Sequence, residues 1–147
     1  MQIGQALRLK TGEYGVVSQR PRRIGAFDTV QFRAAATDVH HVQEVVLSKM
    51  DCLNLFYRTR DKKIPVVTGY QLDGQTIDYV PTTEQSLRQV TPKYEYFDAF
   101  DSNISGFRHA NQLPPNAQTF IKELEKRIDR QISIVGVGPD REQVIHL

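Results

Sequence analysis

The stretch from Pro114 to Gly138 constrains the fold most tightly. Pro114-Pro115 open an amphipathic helix in which Ala117, Phe120, Ile121, Leu124 and Ile128 share one face, with Lys122, Glu123, Glu125 and Lys126 on the wet side. Ile132 to Val137 follows as an apolar run of strand length, closed at once by Gly138-Pro139-Asp140-Arg141. A similar rhythm appears nearer the other end. Phe27 to Val39 reads as a helix, with Asp28 near its start, where a carboxylate suits the free amides and the dipole. Val30, Ala34 and Ala35 give that helix a modest apolar face. Val42 to Leu47 is a β-branched run suited to a buried strand, so helices and strands alternate as in an α/β architecture. Between these ends, Ile64 to Leu72 and Thr76 to Val80 flank Asp73-Gly74, a pair that tolerates the positive φ of a tight hairpin turn. Tyr94 to Phe97 reads as a further short strand. No repeat or low-complexity linker intervenes, and 147 residues suit one domain, 1–147, with a core of its own.

Composition narrows the function. The net charge of +2, from 19 basic and 17 acidic residues, is too balanced for a protein that coats nucleic acid. Cys52 is the only cysteine, which excludes an intrachain disulfide and a cysteine-rich zinc site and fits a reducing, cytoplasmic setting. No apolar run has membrane-spanning length, and Met1 to Ala6 lack a signal-peptide pattern. His40 and His41 are neighbours that do not chelate well from one regular element, and His109 and His146 have no evident partner. Cys52 reads as a small buried residue rather than a nucleophile. Neither a Gly-x-x-x-x-Gly-Lys-Ser/Thr nor a Gly-x-Gly-x-x-Gly phosphate loop occurs.

Three segments carry chemistry. Within Glu13 to Asp28, Arg20, Arg22 and Arg23 sit on a loop punctuated by Gly15, Pro21 and Gly25, which suits gripping phosphate or carboxylate. Read alone, such a triplet also suits solvated surface. Ser48-Lys49-Met50-Asp51 follows a buried strand at its carboxyl end, where open α/β sheets place ligands. The Asp51 carboxylate suits the N1–H and 2-amino group of guanine, and the Lys49 stem suits a purine face. An ordinary capping aspartate beside a surface lysine is the competing reading. Gly136-Val137-Gly138 allows close backbone approach to a flat ring, or makes a plain strand-end turn.

In order and spacing these segments resemble the C-terminal part of the adenylosuccinate synthetase family, GTP-dependent ligases that join aspartate to IMP. The family pattern is Gly-x-Thr-Thr-Gly-Arg-x-Arg-Arg-x-Gly-Trp-x-Asp, then Thr-Lys-x-Asp, then Gly-Pro-x-Arg. The counterparts are Gly15 to Asp28, Ser48 to Asp51 and Gly138 to Arg141. Tyr70 to Pro81, Ile104-Ser105-Gly106 and Leu113-Pro114 are also similar to the family. The resemblance implies the C-terminal portion of that P-loop-like α/β fold, a mixed sheet with a β-hairpin and flanking helices. It implies GTP binding by Arg22, Lys49, Met50, Asp51, Gly136, Val137 and Gly138, and IMP binding by Arg20. It assigns Val16, Val17, Ser18, Gln19, Arg20, Pro21 and Arg22 to the loop that closes over aspartate. Mg2+ is implied for the complete enzyme, with no ligand and no catalytic residue in this chain.

Two departures stand out. Thr-Thr-Gly of the family loop is Val17-Ser18-Gln19, which removes a hydroxyl and a glycine, and the family tryptophan is Ala26. The family's phosphate loop and catalytic aspartate and histidine lie in an N-terminal half without counterpart here, so the chain alone is expected to be inactive. A separate N-terminal half, purine nucleotides and aspartate are the expected partners, and a homo-oligomer is expected by analogy; membrane and nucleic acid are not. The competing expectation is a non-catalytic guanine-nucleotide-binding or interaction module derived from the enzyme.

Overall fold

The computed structural model describes residues 2–39 and 42–147, so the reading of His40 and His41 lies outside the described residues. Among the described residues, four α-helices run over α1 (Ile3–Thr11), α2 (Thr29–Asp38), α3 (Glu84–Gln89) and α4 (Pro115–Ile128). Seven strands among them run over β1 (Phe27–Asp28), β2 (Val45–Leu47), β3 (Lys63–Leu72), β4 (Gln75–Ile77), β5 (Thr91–Asp98), β6 (Ile132–Gly136) and β7 (Val144–His146). A 3-10 helix, Met50–Arg58, joins β2 to β3.

The strands form two mixed sheets. β3 is the spine of the first: β5 lies antiparallel along one edge, while the other edge takes β1 in parallel and β4 antiparallel. The β3–β4 turn is the expected one, with Asp73 at φ 51° and Gly74 at φ 77°. In the second sheet β6 is central, parallel to β2 and antiparallel to β7. The mixed α/β architecture is therefore the one the sequence implied.

α4 is the main packing element. Ala117, Phe120, Ile121, Leu124 and Ile128 are all buried, each contributing roughly 1.5–3 kcal/mol if a large side chain. Phe120 meets Phe97 of β5 edge-on at 5.6 Å, and Arg127 is clasped by Glu95 and Glu123. An Arg33 guanidinium N–H donates to the Arg127 carbonyl at 2.7 Å, which ties α2 to the end of α4.

Several element boundaries differ from expectation. Phe27 and Asp28 pair with β3 as a strand, and the helix begins only at Thr29. The cause is Asp28, whose backbone is extended and whose Oδ1 accepts from the Val30 and Gln31 amides at 3.0 Å each. Of the expected apolar face Val30 is buried, joined by Thr29, while Ala34 and Ala35 are exposed. The strand expected over 42–47 is confined to Val45–Leu47, the one over 76–80 ends at Ile77, and β5 is longer than Tyr94–Phe97. No helix among the described residues is long and apolar enough to cross a membrane.

Candidate functional site

The site begins where β2 ends. After Leu47 the chain turns sharply at Lys49, which adopts φ 62° and starts the 3-10 helix. Met50 anchors that turn: the residue is wholly buried in the core, so the ligand contact expected of it is not exposed in this chain. Asp51 follows in the first turn, half-buried, and accepts a weak hydrogen bond from the Cys52 thiol at 3.4 Å. Burial, then the Asp51 charge, pushes the Cys52 thiol up to about 11. A neutral, enclosed thiol fits the buried role expected for it.

β6 brings the third segment to this turn. A Cβ on Gly136 would stand 3.3 Å from the Ser48 Cα and 3.6 Å from the Lys49 nitrogen, so glycine is what lets the strand lie against the turn. Val137 is wholly buried, main chain included, and its N–H is donated to the Gln143 carbonyl at 2.8 Å, so the ring contact expected of it is not exposed in this chain. The Gln143 side chain lies directly against Gly138, held by a bond from the Asp140 amide at 3.0 Å and one to the Ser105 carbonyl at 3.1 Å. Gly136 thus meets Ser48 and Lys49 from a segment far apart in sequence, whereas Gly138 packs against Gln143.

The arginine loop is a small hairpin. The Arg22 amide donates to the Glu13 carbonyl at 3.0 Å, Tyr14 pairs with Pro21, and the Gly15 amide donates to the Arg20 carbonyl at 2.9 Å. A side chain at Gly15 would collide with the Ser18 hydroxyl. Gln19 takes the left-handed φ of 52° that the family pattern gives to glycine, at a strain cost of about 1 kcal/mol. Val16 and Val17 stand out at the tip, 83% and 96% exposed. Arg20 is exposed, and its guanidinium has no hydrogen bond or ion pair among the described residues.

Loop and turn are linked by a residue the sequence reading passed over. One Glu13 carboxylate oxygen accepts from Arg22 at 3.0 Å and the other from Lys49. These two cations, Lys49 first, hold the Glu13 carboxyl below its usual range. From α1, Lys10 donates to the Asp51 carbonyl at 2.7 Å and Arg8 to the Arg22 carbonyl at 2.7 Å, fixing both partners. Only position could have betrayed Glu13: it stands at the foot of the hairpin, opposite Arg22.

Beside this bridge lies a cavity of about 390 Å³. Glu13, Arg22, Arg23, Ser48 and Lys49 form its polar side, and Phe27, Leu47, Leu53, Phe56, Phe120 and Leu124 are among its apolar walls. Arg22 and Lys49 therefore share one cavity, while Val16 to Pro21 do not line it. No group of three or more His, Cys, Asp or Glu among the described residues is arranged to hold a metal ion.

The sequence profile of adenylosuccinate synthetase matches residues 1–145. The chain belongs to the adenylosuccinate synthetase family. The adenylosuccinate synthetase of Clostridium novyi is 40% identical over 144 residues, covering 98% of this chain and 32% of that protein. The Kineococcus radiotolerans adenylosuccinate synthetase is 39% identical over 142 residues, covering 97% and 32%. A solved structure of fully ligated adenylosuccinate synthetase from Plasmodium falciparum superposes with a TM-score of 0.88 at 28% identity, over 99% of this chain and 34% of that one. The chain thus spans about a third of the length of the adenylosuccinate synthetases it matches.

Proposed function

We propose that this chain is the C-terminal, nucleotide- and aspartate-contacting part of a GTP-dependent ligase that joins aspartate to IMP. The observation that carries the reading is the packing of Gly136 against the Ser48–Lys49 turn, because it brings the end of β6 to the turn that carries Lys49 and leads into Asp51. In this reading Asp51 accepts from guanine N1–H and the 2-amino group, which adenine cannot supply. Lys49 covers the purine face with its stem. The two glycines contribute main chain, and Met50 and Val137 support the turn from the core. Arg22 faces the GTP phosphates, Arg20 the IMP side, and the hairpin from Val16 to Arg22 closes over aspartate. Fixed arginine charges of this kind favour the spread negative charge of phosphoryl transfer. Mg2+ would neutralise phosphate charge in the complete enzyme; no acidic cluster among the described residues fits it.

The missing activity would come from the rest of the enzyme. The outer edges of β1 and β2 border the apolar cavity, which supports a further segment packing there. The test is turnover with GTP, IMP and aspartate. The chain alone should form no adenylosuccinate, and mixing it with the N-terminal two-thirds of a relative such as the Clostridium novyi protein should restore activity. Turnover by the pure chain, or none by the mixture despite complex formation, would contradict the proposal.

One observation favours a second reading, a non-catalytic guanine-nucleotide module. The hairpin keeps its shape, since Gln19 adopts the required φ, but its tip offers two exposed valines where the family pattern has a hydroxyl at the Val17 position. Aspartate that fails to bind an otherwise complemented enzyme would favour this second reading.

A further inference from the structure

We propose that Glu13 is a positioning residue for base recognition: bridging Lys49 and Arg22, it holds the Lys49 stem where a purine would lie, in one frame with the arginine that faces the phosphates. The inference rests on the base-reading role proposed above for Lys49 and Asp51.

Three observations support it. First, Glu13 is fixed before its side chain acts. Its amide donates to the Arg8 carbonyl at 3.1 Å and its carbonyl accepts from the Arg22 amide at 3.0 Å, so the carboxylate projects from a braced backbone. Second, Glu13 is the more enclosed partner, with 19% of its side chain exposed against 49% for Lys49 and 55% for Arg22. A short, enclosed acid is therefore setting the direction of two longer, freer cations. A lysine stem left alone would sample many rotamers, and a stem that must cover a ring gains from being held straight. Third, the bridge does not consume the anion site. Only one terminal nitrogen of Arg22 contacts Glu13, and the rest of its fork has no side-chain partner among the described residues. Phosphate binding and the Glu13 bridge are compatible, so Glu13 acts with the nucleotide rather than as its competitor.

The test uses Glu13→Gln in the full chain with three readouts. The first needs no nucleotide: acylation of Lys49 by acetic anhydride, followed by peptide mass spectrometry. An ammonium held on a carboxylate reacts slowly, so Lys49 should label several-fold faster in the variant. The second is the ratio of GDP to ADP affinity, which should fall toward one. The third is inorganic tripolyphosphate, which should bind the variant at least as tightly, because the mouth of the cavity gains one net positive charge. Melting temperature should barely move, as expected for partly exposed pairs. Equal Lys49 labelling in both proteins would overturn the bridge, and an unchanged GDP preference would overturn the positioning role. Loss of all ligands together with a large fall in melting temperature would make Glu13 a brace only; tighter binding of GDP would make it a competitor. Equal GDP and ADP affinities in the unsubstituted chain would instead sink the base-reading proposal, with the labelling result still deciding the bridge.

Discussion

At Gly136 the nearest neighbours of an added Cβ are backbone atoms of Ser48 and Lys49, which cannot swing aside as a flexible side chain would. Gly136→Ala should therefore lose about 1–3 kcal/mol in a denaturant titration, the range for overpacking a tight contact. It should weaken GDP binding as well; an alanine variant of unchanged stability would mean the turn has slack. Cys52, with its thiol pushed up to about 11, should resist a disulfide-exchange reagent in native buffer and react fully once unfolded. Prompt reaction of the native chain would contradict its burial. Single residues were legible where one local rule governs them: Asp28 as a cap, Asp73-Gly74 as a turn. Tyr70 shows the limit. Its hydroxyl donates to Asp28 Oδ2 at 2.5 Å, and burial, then that bond, pushes its phenol up to about 12, a pairing across 42 residues that no local rule predicts. Met50 and Val137 were read as ligand contacts, but an apolar side chain beside a binding turn was turned inward by the core.

At the scale of elements, the arginine hairpin is closed by main-chain bonds, so its shape should survive loss of its charges. Replacing Arg20 and Arg22 with Ala should weaken phosphate binding and leave the melting temperature nearly unchanged, since among the described residues the ion pair lost is the partly exposed one to Glu13. A large fall in melting temperature with unchanged phosphate affinity would show the loop to be structural. α4 behaves oppositely. Leu124 is 1% exposed on its buried face, and Leu124→Ala should lose about 2–5 kcal/mol by denaturant titration. That helix was plain in the sequence because its apolar residues keep helical spacing over four turns. α1 was not: it has no side-chain cap and buries no residue fully, and what holds it is Ile3 and Leu7 packed on the core, Arg8 bonded to the Arg22 carbonyl, and Lys10 reaching Asp51 and Asn54 on the 3-10 helix. The 3-10 helix was missed for a geometric reason. Met50, Leu53 and Phe56 recur every three residues, the repeat of that helix rather than of an α-helix.

At the scale of the whole molecule, the bridge makes stability depend on pH. The Glu13 carboxyl is lowered from 4.5 by Lys49 and Arg22, so its contribution is present above that value and lost as pH falls through the lowered one. The gap in melting temperature between the chain and Glu13→Gln, small at neutral pH because the pairs are partly exposed, should close in that acidic range; a gap that widens on acidification would reverse the sign. The fold class and family were legible because short motifs recur in order along nearly the full chain. The joining of loop to turn was not, because Glu13 and Lys49 are 36 residues apart and only the tertiary structure brings them together. The same holds for the cavity, whose walls come from α1, β1, β2, the 3-10 helix, β3 and α4. The central claim is that Lys49, Asp51 and the Gly136–Gly138 backbone form a guanine-reading surface. Calorimetric titration of GDP and ADP into the chain and into Asp51→Asn tests it most directly. GDP should bind more tightly than ADP, with the preference lost in the variant by roughly 1–3 kcal/mol, the range for a charged hydrogen-bond partner. Equal affinity of the unsubstituted chain for GDP and ADP, or a preference that survives Asp51→Asn, would contradict it.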